Sequence, residues 1–194
     1  MTVGRGTGAV LVAALTLAGC GGEQVPDYAA PTVIPNASAA PDFELADAGG
    51  RRVRLSGLRG RPILLTFLYT RCSDVCPLIT DKLKAALDRL GSGSNVAVVA
   101  VSVDPKGDTP RAVRSYLHRH RMAGRMEYLI GSRVQLARVW RAYGVGVEDD
   151  PDSRDVGHSS SVFGITASGK KRTAYLYSFE PSEIVHDVPV LGRD

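Results

Sequence analysis

The chain has 194 residues, of which 44% are apolar and 23% charged, an ordinary composition for one globular domain with short appendages. Its net charge is +4 and its pI is about 9.1, but the arginines and lysines are scattered along the sequence. Because there is no dense basic run and no nucleic-acid-binding motif, we interpret the positive charge as a solvated surface and predict no nucleic-acid partner.

The first twenty residues are typical of a targeting segment. A positive charge at Arg5 precedes an apolar run from Ala9 to Ala18, which is too short to cross a hydrocarbon core of about 30 Å but suits a signal peptide. The run ends in LAGC, which resembles the bacterial lipobox. We therefore predict a lipoprotein signal peptide over residues 1–19, a lipid on Cys20, and a domain anchored at the extracytoplasmic face of the cell membrane. An ordinary cleaved secretory signal is the alternative.

The next segment has the composition of a linker. It reads GGEQVPDYAAPTVIPNASAA, which is rich in glycine, proline and alanine and lacks an apolar period. This composition predicts that the lipidated Cys20 and a flexible linker occupy residues 20–40, followed by a single domain over residues 41–194. A structured N-terminal extension is the alternative. Without Cys20, one pair remains in an oxidising compartment, Cys72 and Cys76, which can form a disulfide.

A hairpin, a strand and a helix open the predicted domain. The segments FELADAGG and RRVRLSGL place apolar residues on either side of Gly49 and Gly50, a pattern typical of a β-hairpin. The run ILLTFLYT, residues 63–70, is apolar without alternation and predicts a strand buried on both faces. Over residues 77–90 the apolar positions recur at steps of three and four, which predicts a helix.

Strands and helices alternate along the rest of the chain. The pattern predicts a second buried strand at VAVVAVSV, then a helix capped by Asp108 or Thr109 with Pro110 in its first turn. It also predicts a strand at MEYLIG, a helix from Ser132 to Gly144, a hairpin formed by SSSVFGIT and RTAYLYSF, and a last helix at PSEIVHDV. This order predicts an α/β fold in which a mixed central sheet is flanked by helices.

Two cysteines lie where the first buried strand gives way to a helix. The stretch YTRCSDVCP places Cys72 and Cys76 four positions apart, and Pro77 suits the first turn of the helix. A helix N-terminus favours thiolates, and a step of four brings both sulfurs to one side. Since soft sulfur donors select Cu(I), zinc or iron–sulfur centres, the pair predicts a metal chelate. A stabilising disulfide is the alternative, although so short a loop contributes little entropy.

A copper ion needs a further ligand, and the chain has four histidines. His118 and His120 lie two positions apart among arginines, which predicts surface positions, and His186 lies near the C-terminus without a distinguishing pattern. His158 is the best candidate because it directly precedes a predicted strand, after the loop VEDDPDSRDVG. Taken by itself, however, such a position is more typical of a structural histidine at a strand start.

Three landmarks in order resemble the Sco/SenC family of copper chaperones. The stretch YTRCSDVCP is similar to the family signature T-x-C-x-x-x-C-P, and VSVDPKGDTP is similar to a strand that ends in S-x-D-P-x-x-D-T-P. His158 matches a histidine that opens a late strand. The resemblance covers residues 41–179 and departs from the family at Ser73, where a proline is frequent.

The resemblance implies a thioredoxin-like fold and a copper ion, Cu(I) or Cu(II), bound by Cys72, Cys76 and His158. It also implies delivery of copper to the dinuclear copper site of a haem–copper cytochrome c oxidase, with the copper-binding subunit of the oxidase as partner and other periplasmic copper chaperones as further partners. The usual transmembrane anchor would here be replaced by the lipid on Cys20. Asp104 is expected either to shape the site or to cap its own loop.

Other activities use the same cysteines. A thiol–disulfide oxidoreductase that reduces the cysteines of the apo-oxidase subunit would need Cys72 and Cys76 but not His158, so an enzymatic role stays open. A peroxiredoxin-like peroxidase requires the pattern P-x-x-x-T-x-x-C. Here Thr70 stands two residues before Cys72 instead of three, which argues against a peroxidase.

Overall fold

The computed structural model describes residues 1–2, 26–148, 157–158 and 160–194 of the chain. The strands in this part are β1 (Thr32–Val33), β2 (Glu44–Asp47), β3 (Arg52–Arg54), β4 (Ile63–Leu68), β5 (Ala97–Ser102), β6 (Glu127–Ile130), β7 (Val147–Glu148), β8 (Gly157–His158), β9 (Ser161–Ile165) and β10 (Lys171–Leu176). The helices are α1 (Val75–Leu90), α2 (Pro110–Arg119), α3 (Arg133–Tyr143) and α4 (Pro181–Leu191), and a 3₁₀ turn covers Leu55–Leu58.

One mixed sheet organises the domain, with the strand order β1-β10-β9-β4-β5-β6-β2-β3. Strands β4, β5 and β6 run parallel, whereas β9 runs antiparallel to β4. Every residue of β4 and β5 is buried, as their unbroken apolar runs predict. The observed fold therefore has the predicted mixed α/β sheet. It also has the β2–β3 hairpin that was predicted near the N-terminal end of the domain.

The three parallel strands place their C-terminal ends at one edge of the sheet, which we call the site edge. The crossovers β4–α1–β5 and β5–α2–β6 step in the same direction, so right-handed connections put α1 and α2 on one face. A hydrogen bond of 2.7 Å between the hydroxyls of Thr80 on α1 and Tyr116 on α2 joins the two helices there. Both helices begin at the site edge, where open α/β sheets usually carry their functional groups.

Helix α3 begins and ends where the sequence predicts. Ser132 and Gln135 form a capping box at its start, and Gly144 adopts a left-handed conformation with φ of 68° at its end. The ring of Tyr143 packs against the rings of Phe67 on β4 and Phe163 on β9. These contacts attach α3 to the central strands.

The segment over residues 26–40, which we call the strap, corrects the predicted linker. Strand β1 within it pairs antiparallel with β10 and is the outermost strand on that side of the sheet. The fully buried carboxylate of Asp187 on α4 accepts hydrogen bonds from the backbone N–H groups of Ala29 at 2.7 Å and Ala30 at 2.9 Å. The part of the predicted linker that the structure describes is therefore packed on the domain, because distant residues supply partners for its backbone.

A buried arginine completes the attachment of the strap. Arg172 on β10 has a fully buried side chain that forms an ion pair with Asp194. The same guanidinium donates to the carbonyl oxygens of Ile34 at 3.2 Å and Pro35 at 2.9 Å. The two ends of the domain are thus held together by hydrogen bonds to one charged group, which is paired as a buried charge requires.

The predicted signal peptide and Cys20 lie outside the described residues. Among the helices that the structure does describe, none combines the length and the apolar character needed to span a bilayer.

Candidate metal centre

Cys72 and Cys76 lie together at the site edge, where β4 ends and α1 begins. Cys76 is the second residue of α1 and is fully buried, whereas Cys72 lies in the preceding loop and is half-buried. The backbone N–H of Cys76 donates to the Cys72 Sγ over 3.4 Å. The two cysteines are free and are not joined in a disulfide. The structure therefore brings the two predicted sulfur ligands to one side of a helix N-terminus.

The first turn of α1 favours a thiolate at Cys72. The N-cap residue, Asp74, makes no side-chain hydrogen bond to the helix, so the Cys72 sulfur receives the N–H group that a capping side chain would otherwise accept. Helix α1 has no acidic residue in its first turn to compete for this positive end. The local electrostatic field thus stabilises negative charge on Cys72.

The two thiols differ in acidity as a result. A hydrogen bond from the Cys76 thiol lowers the pKa of Cys72 to about 5, and backbone N–H groups of Cys76 and Asp74 add to this effect while partial burial opposes it. The same thiol–thiol hydrogen bond, together with burial, raises the pKa of Cys76. At neutral pH the pair therefore holds one thiolate and one thiol. A soft metal ion that binds both sulfurs must displace the Cys76 proton.

A buried carboxylate fixes the loop that leads to Cys72. Asp108 accepts hydrogen bonds from the Thr70 backbone N–H at 2.8 Å, the Ser102 hydroxyl at 2.6 Å and the Tyr128 hydroxyl at 2.9 Å. Its partners belong to β5, to β6 and to the loop after β4, so one side chain connects three parallel segments at the site edge. Burial raises the pKa of Asp108.

The sequence offered Asp108 only as one of two possible helix caps. The structure gives the cap to Thr109, whose Oγ1 accepts the Ala112 N–H at 3.2 Å, and turns Asp108 inward. Sequence reasoning thus missed the role of Asp108 in positioning the cysteine loop. The position of Asp108 in VDPKGDTP, shortly after a buried strand, was the one sequence feature that could have indicated this role. A polar residue just before a helix is usually a cap, however, and the cap was therefore the expected role.

Asp104 caps its own loop, which is one of the two roles expected for it, and its influence on the site stays a prediction. Its buried carboxylate caps its own loop by accepting the Gly107 N–H at 2.8 Å, and it pairs with the guanidinium of Arg71 at 2.7 Å. Arg71 directly precedes Cys72, and sequence reasoning also missed its ion pair with Asp104. A Cβ on Gly107 would lie within 2.4 Å of both the Asp104 and the Arg71 side chains, so glycine is needed for this close approach.

The backbone of His158 lies in β8, opposite Val147 of β7. Strand β9 begins three residues later at Ser161, whose carbonyl oxygen accepts a hydrogen bond of 3.0 Å from the Thr66 hydroxyl on β4. Because β9 runs antiparallel to β4, the chain enters β9 from the site edge, where Cys72 also lies. The side chain of His158 lies outside the described residues, so its role as third ligand stays a prediction.

Among the side chains that the structure describes, no three histidine, cysteine, aspartate or glutamate residues form a group able to hold a metal ion. The described part of the candidate centre is therefore the pair of sulfurs from Cys72 and Cys76. It supplies two soft donors and leaves further coordination positions to other groups.

Solved structures define the class of the fold. The copper-bound ScoI of Arabidopsis thaliana superposes with a TM-score of 0.71 at 28% identity, covering 80% of this chain and 99% of that chain. The apo Sco1 protein of Thermus thermophilus gives a TM-score of 0.73 at 28% identity, covering 85% of this chain and 97% of that chain. The domain has the predicted thioredoxin-like fold. Since those chains consist almost wholly of the matching part, this part folds as a unit in the relatives.

The sequence comparisons agree with the structural ones. The family model described as SCO1/SenC matches residues 32–191. A SCO2-like protein of Rickettsia conorii is 31% identical over 159 residues, covering 77% of this chain and 75% of the relative. The chain belongs to the SCO1/SenC family. The matched range includes β1, in agreement with a domain that begins before residue 41.

In the reduced, metal-free protein we expect iodoacetamide to label Cys72 well before Cys76. Because the pKa of Cys72 is lowered to about 5, its alkylation rate should reach a plateau by about pH 6, whereas an ordinary thiol gains rate up to about pH 9. Peptide mass spectrometry at a series of pH values gives both the site and the rate. Preferential labelling of Cys76, or a Cys72 rate that still climbs above about pH 7, would contradict the acidity described.

Asp108→Ala should destabilise the domain by about 3 kcal/mol or more, because it leaves three buried donors without their acceptor at about 1–3 kcal/mol each. Urea unfolding of the reduced, metal-free domain measures the change. Asp88→Ala is the matched control, since it removes an aspartate that forms only exposed ion pairs with Lys84 and Arg125 and should change stability far less. Equal stability of the two variants would show that Asp108 does not hold the loop.

Proposed function

We propose that this protein binds copper at the extracytoplasmic face of the cell membrane and delivers it to, or prepares, the dinuclear copper site of a haem–copper cytochrome c oxidase. The observation that carries the proposal is the pair of sulfurs of Cys72 and Cys76 in the first turn of α1. Membership of the SCO1/SenC family supports it, as does the copper bound in the ScoI of Arabidopsis thaliana.

The donor set suits copper as cargo. Two sulfurs with the imidazole of His158 would give Cu(I) three soft or borderline ligands, and Cu(II) would need one more. Binding would release the proton that Cys76 holds, so copper affinity should increase with pH while that thiol still carries its proton. Oxidation of the pair to a disulfide would remove both sulfur ligands, which links copper binding to the redox state of the compartment.

The unequal exposure of the sulfurs suits transfer of the metal. Cys76 is buried on the helix, whereas Cys72 is half-buried in the loop and is the sulfur that an incoming ligand would meet first. The hydrogen bond from Thr70 to Asp108 and the Arg71–Asp104 ion pair fix the position of that loop on the domain. A ligand of the acceptor protein can thus approach through Cys72 while Cys76 still holds the ion.

The acidity of Cys72 favours a second candidate function, a thiol–disulfide oxidoreductase that reduces the cysteines of the apo-oxidase subunit. The Cys72 thiolate would attack a substrate disulfide and form a mixed disulfide while one substrate thiolate leaves. The Cys76 sulfur, after losing its proton, would then attack Cys72 and release the second substrate thiolate. The protein would end as the Cys72–Cys76 disulfide, with two electrons passed to the substrate.

Copper titration of residues 26–194 separates the two functions. We expect one tightly bound copper per reduced domain, and His158→Ala should weaken copper binding by at least about tenfold. Cys72→Ser and Cys76→Ser should each abolish tight binding, because one sulfur no longer forms a chelate. Unchanged affinity in His158→Ala would contradict the three-ligand site, and disulfide reduction without tight copper binding would favour the oxidoreductase.

The proposed anchor is tested on the full chain expressed in a bacterium with labelled palmitate. We expect the label in the membrane fraction, a mature protein whose first residue is the modified Cys20, and loss of the label in Cys20→Ala. Cys72→Ala serves as the control, because removal of an internal cysteine should leave the label in place. A mature protein that is unlabelled and begins at another residue would overturn the anchor without affecting the copper site.

A further inference from the structure

Helix α2 and the turn after it expose positive charge that the proposed function does not use. Four arginines in this region are exposed, and we call them the arginine patch: Arg111, Arg114, Arg119 and Arg121. On the opposite side of the helix, Val113 and Tyr116 are buried against the domain. The sequence between Asp108 and Glu127 contains no acidic residue, so the helix carries no charge of its own that would balance the patch.

One carboxylate of a neighbouring element reaches this surface: Asp81 on α1 pairs with His120 at 2.8 Å, and not with an arginine of the patch. Within the described residues, none of its four arginines forms an ion pair with a carboxylate. Arg114 donates to the backbone carbonyl of Ala48 at 2.8 Å, and the Arg119 guanidinium lies 6.0 Å from the centre of the Tyr116 ring. By contrast, Arg52 and Arg54 of the β2–β3 hairpin both pair with Glu44. The positive charge of the patch therefore points into solvent.

The patch lacks the apolar groups on which protein interfaces depend. The large apolar side chains exposed in the described part of the chain are Met1, Leu78, Val134, Leu176 and Tyr177, and none of them lies on α2. Interfaces between proteins concentrate their binding energy in buried aromatic and apolar residues. A surface that offers only arginines suits a partner recognised by charge alone, and guanidinium groups pair closely with phosphate.

We propose that the arginine patch docks the domain on anionic phospholipid headgroups. Each arginine at such a surface contributes a factor of about five in binding, so four of them give a factor of several hundred. That is weak for a protein free in solution. It is sufficient to orient a domain that is already held at the membrane, and in this respect the inference rests on the proposed anchor at Cys20.

The geometry allows the anchor and the patch to act together. The strap is fixed to Asp187 at Ala29 and Ala30, so the nine residue-to-residue steps from Cys20 to Ala29 span at most about 30 Å. Five strand spacings separate β1, which carries the strap, from β6 beside α2, which amounts to about 24 Å. The patch can therefore reach the membrane while the strap stays in place, and the site edge then keeps a defined orientation.

The test uses residues 26–194, which carry no lipid, and sedimentation with a large excess of phospholipid vesicles, because binding by the patch alone is weak. We expect binding to vesicles that contain about 30% phosphatidylglycerol, loss of that binding between about 50 and 300 mM salt, and no binding to pure phosphatidylcholine. Equal binding to both kinds of vesicle, or binding that does not respond to salt, would overturn the proposal.

A matched pair of variants locates the surface. Arg111→Gln/Arg114→Gln should weaken binding about 30-fold. Arg138→Gln/Arg141→Gln removes the same charge from exposed positions on α3 and should bind nearly as well as the parent. Arg111→Lys/Arg114→Lys should also bind, because it keeps the charge. Equal losses in the α2 and α3 variants would mean that net charge, and not the patch, is responsible.

Three further measurements keep the result unambiguous. Arg111→Gln/Arg121→Gln leaves the Arg114–Ala48 hydrogen bond intact, so a loss of binding in this variant cannot be attributed to that bond. Patch-dependent retention on immobilised polyglutamate without any vesicle binding would overturn the lipid partner in favour of an acidic protein. Copper stoichiometry of the same variants should equal that of the parent, so failure of the docking surface and failure of the copper site appear in different measurements.

Discussion

The carboxylate of Asp108 connects the strand ends around which the cysteine pair is built. A buried carboxylate without partners would cost several kcal/mol, whereas this one accepts from Thr70, Ser102 and Tyr128. The loop from Thr70 to Cys72 consists of one threonine, one arginine and one cysteine. Its position is therefore set by hydrogen bonds to Asp108 and by the Arg71–Asp104 ion pair, and the position of the Cys72 sulfur follows from them.

That position explains the chemistry of the pair. With Cys72 held beside the first turn of α1, its sulfur accepts hydrogen bonds from the backbone and the thiol of Cys76, and its pKa falls to about 5. The thiol–thiol hydrogen bond and the burial of Cys76 raise the pKa of Cys76, so Cys76 keeps its proton. One thiolate and one proton-bearing thiol suit both metal capture and disulfide exchange. Under the proposal that His158 supplies the third ligand, that residue would decide between copper binding and disulfide exchange.

Local patterns predicted the parts of the fold that depend on neighbouring residues. The buried strands β4 and β5, the capping box at Ser132 and the step from Cys72 to Cys76 are all properties of short segments. The composition of the strap wrongly predicts a linker, because its partners, such as Asp187, lie more than 150 residues away along the chain. Asp108 was misjudged for a related reason, since only the packed strands show that its side chain turns inward.

The strap also changes how the proposed anchor would act. A free linker over residues 20–40 would let the domain rotate in any direction above the membrane. Attachment of Ala29 and Ala30 to Asp187 leaves only the residues before them to span that distance, and it fixes the edge of the sheet at which the chain leaves the domain. A short tether at one edge restricts position but still permits rotation about its own point of attachment. The arginine patch, several strands away, supplies the second contact that would remove this rotation and hold the site edge in one orientation toward a membrane-bound acceptor.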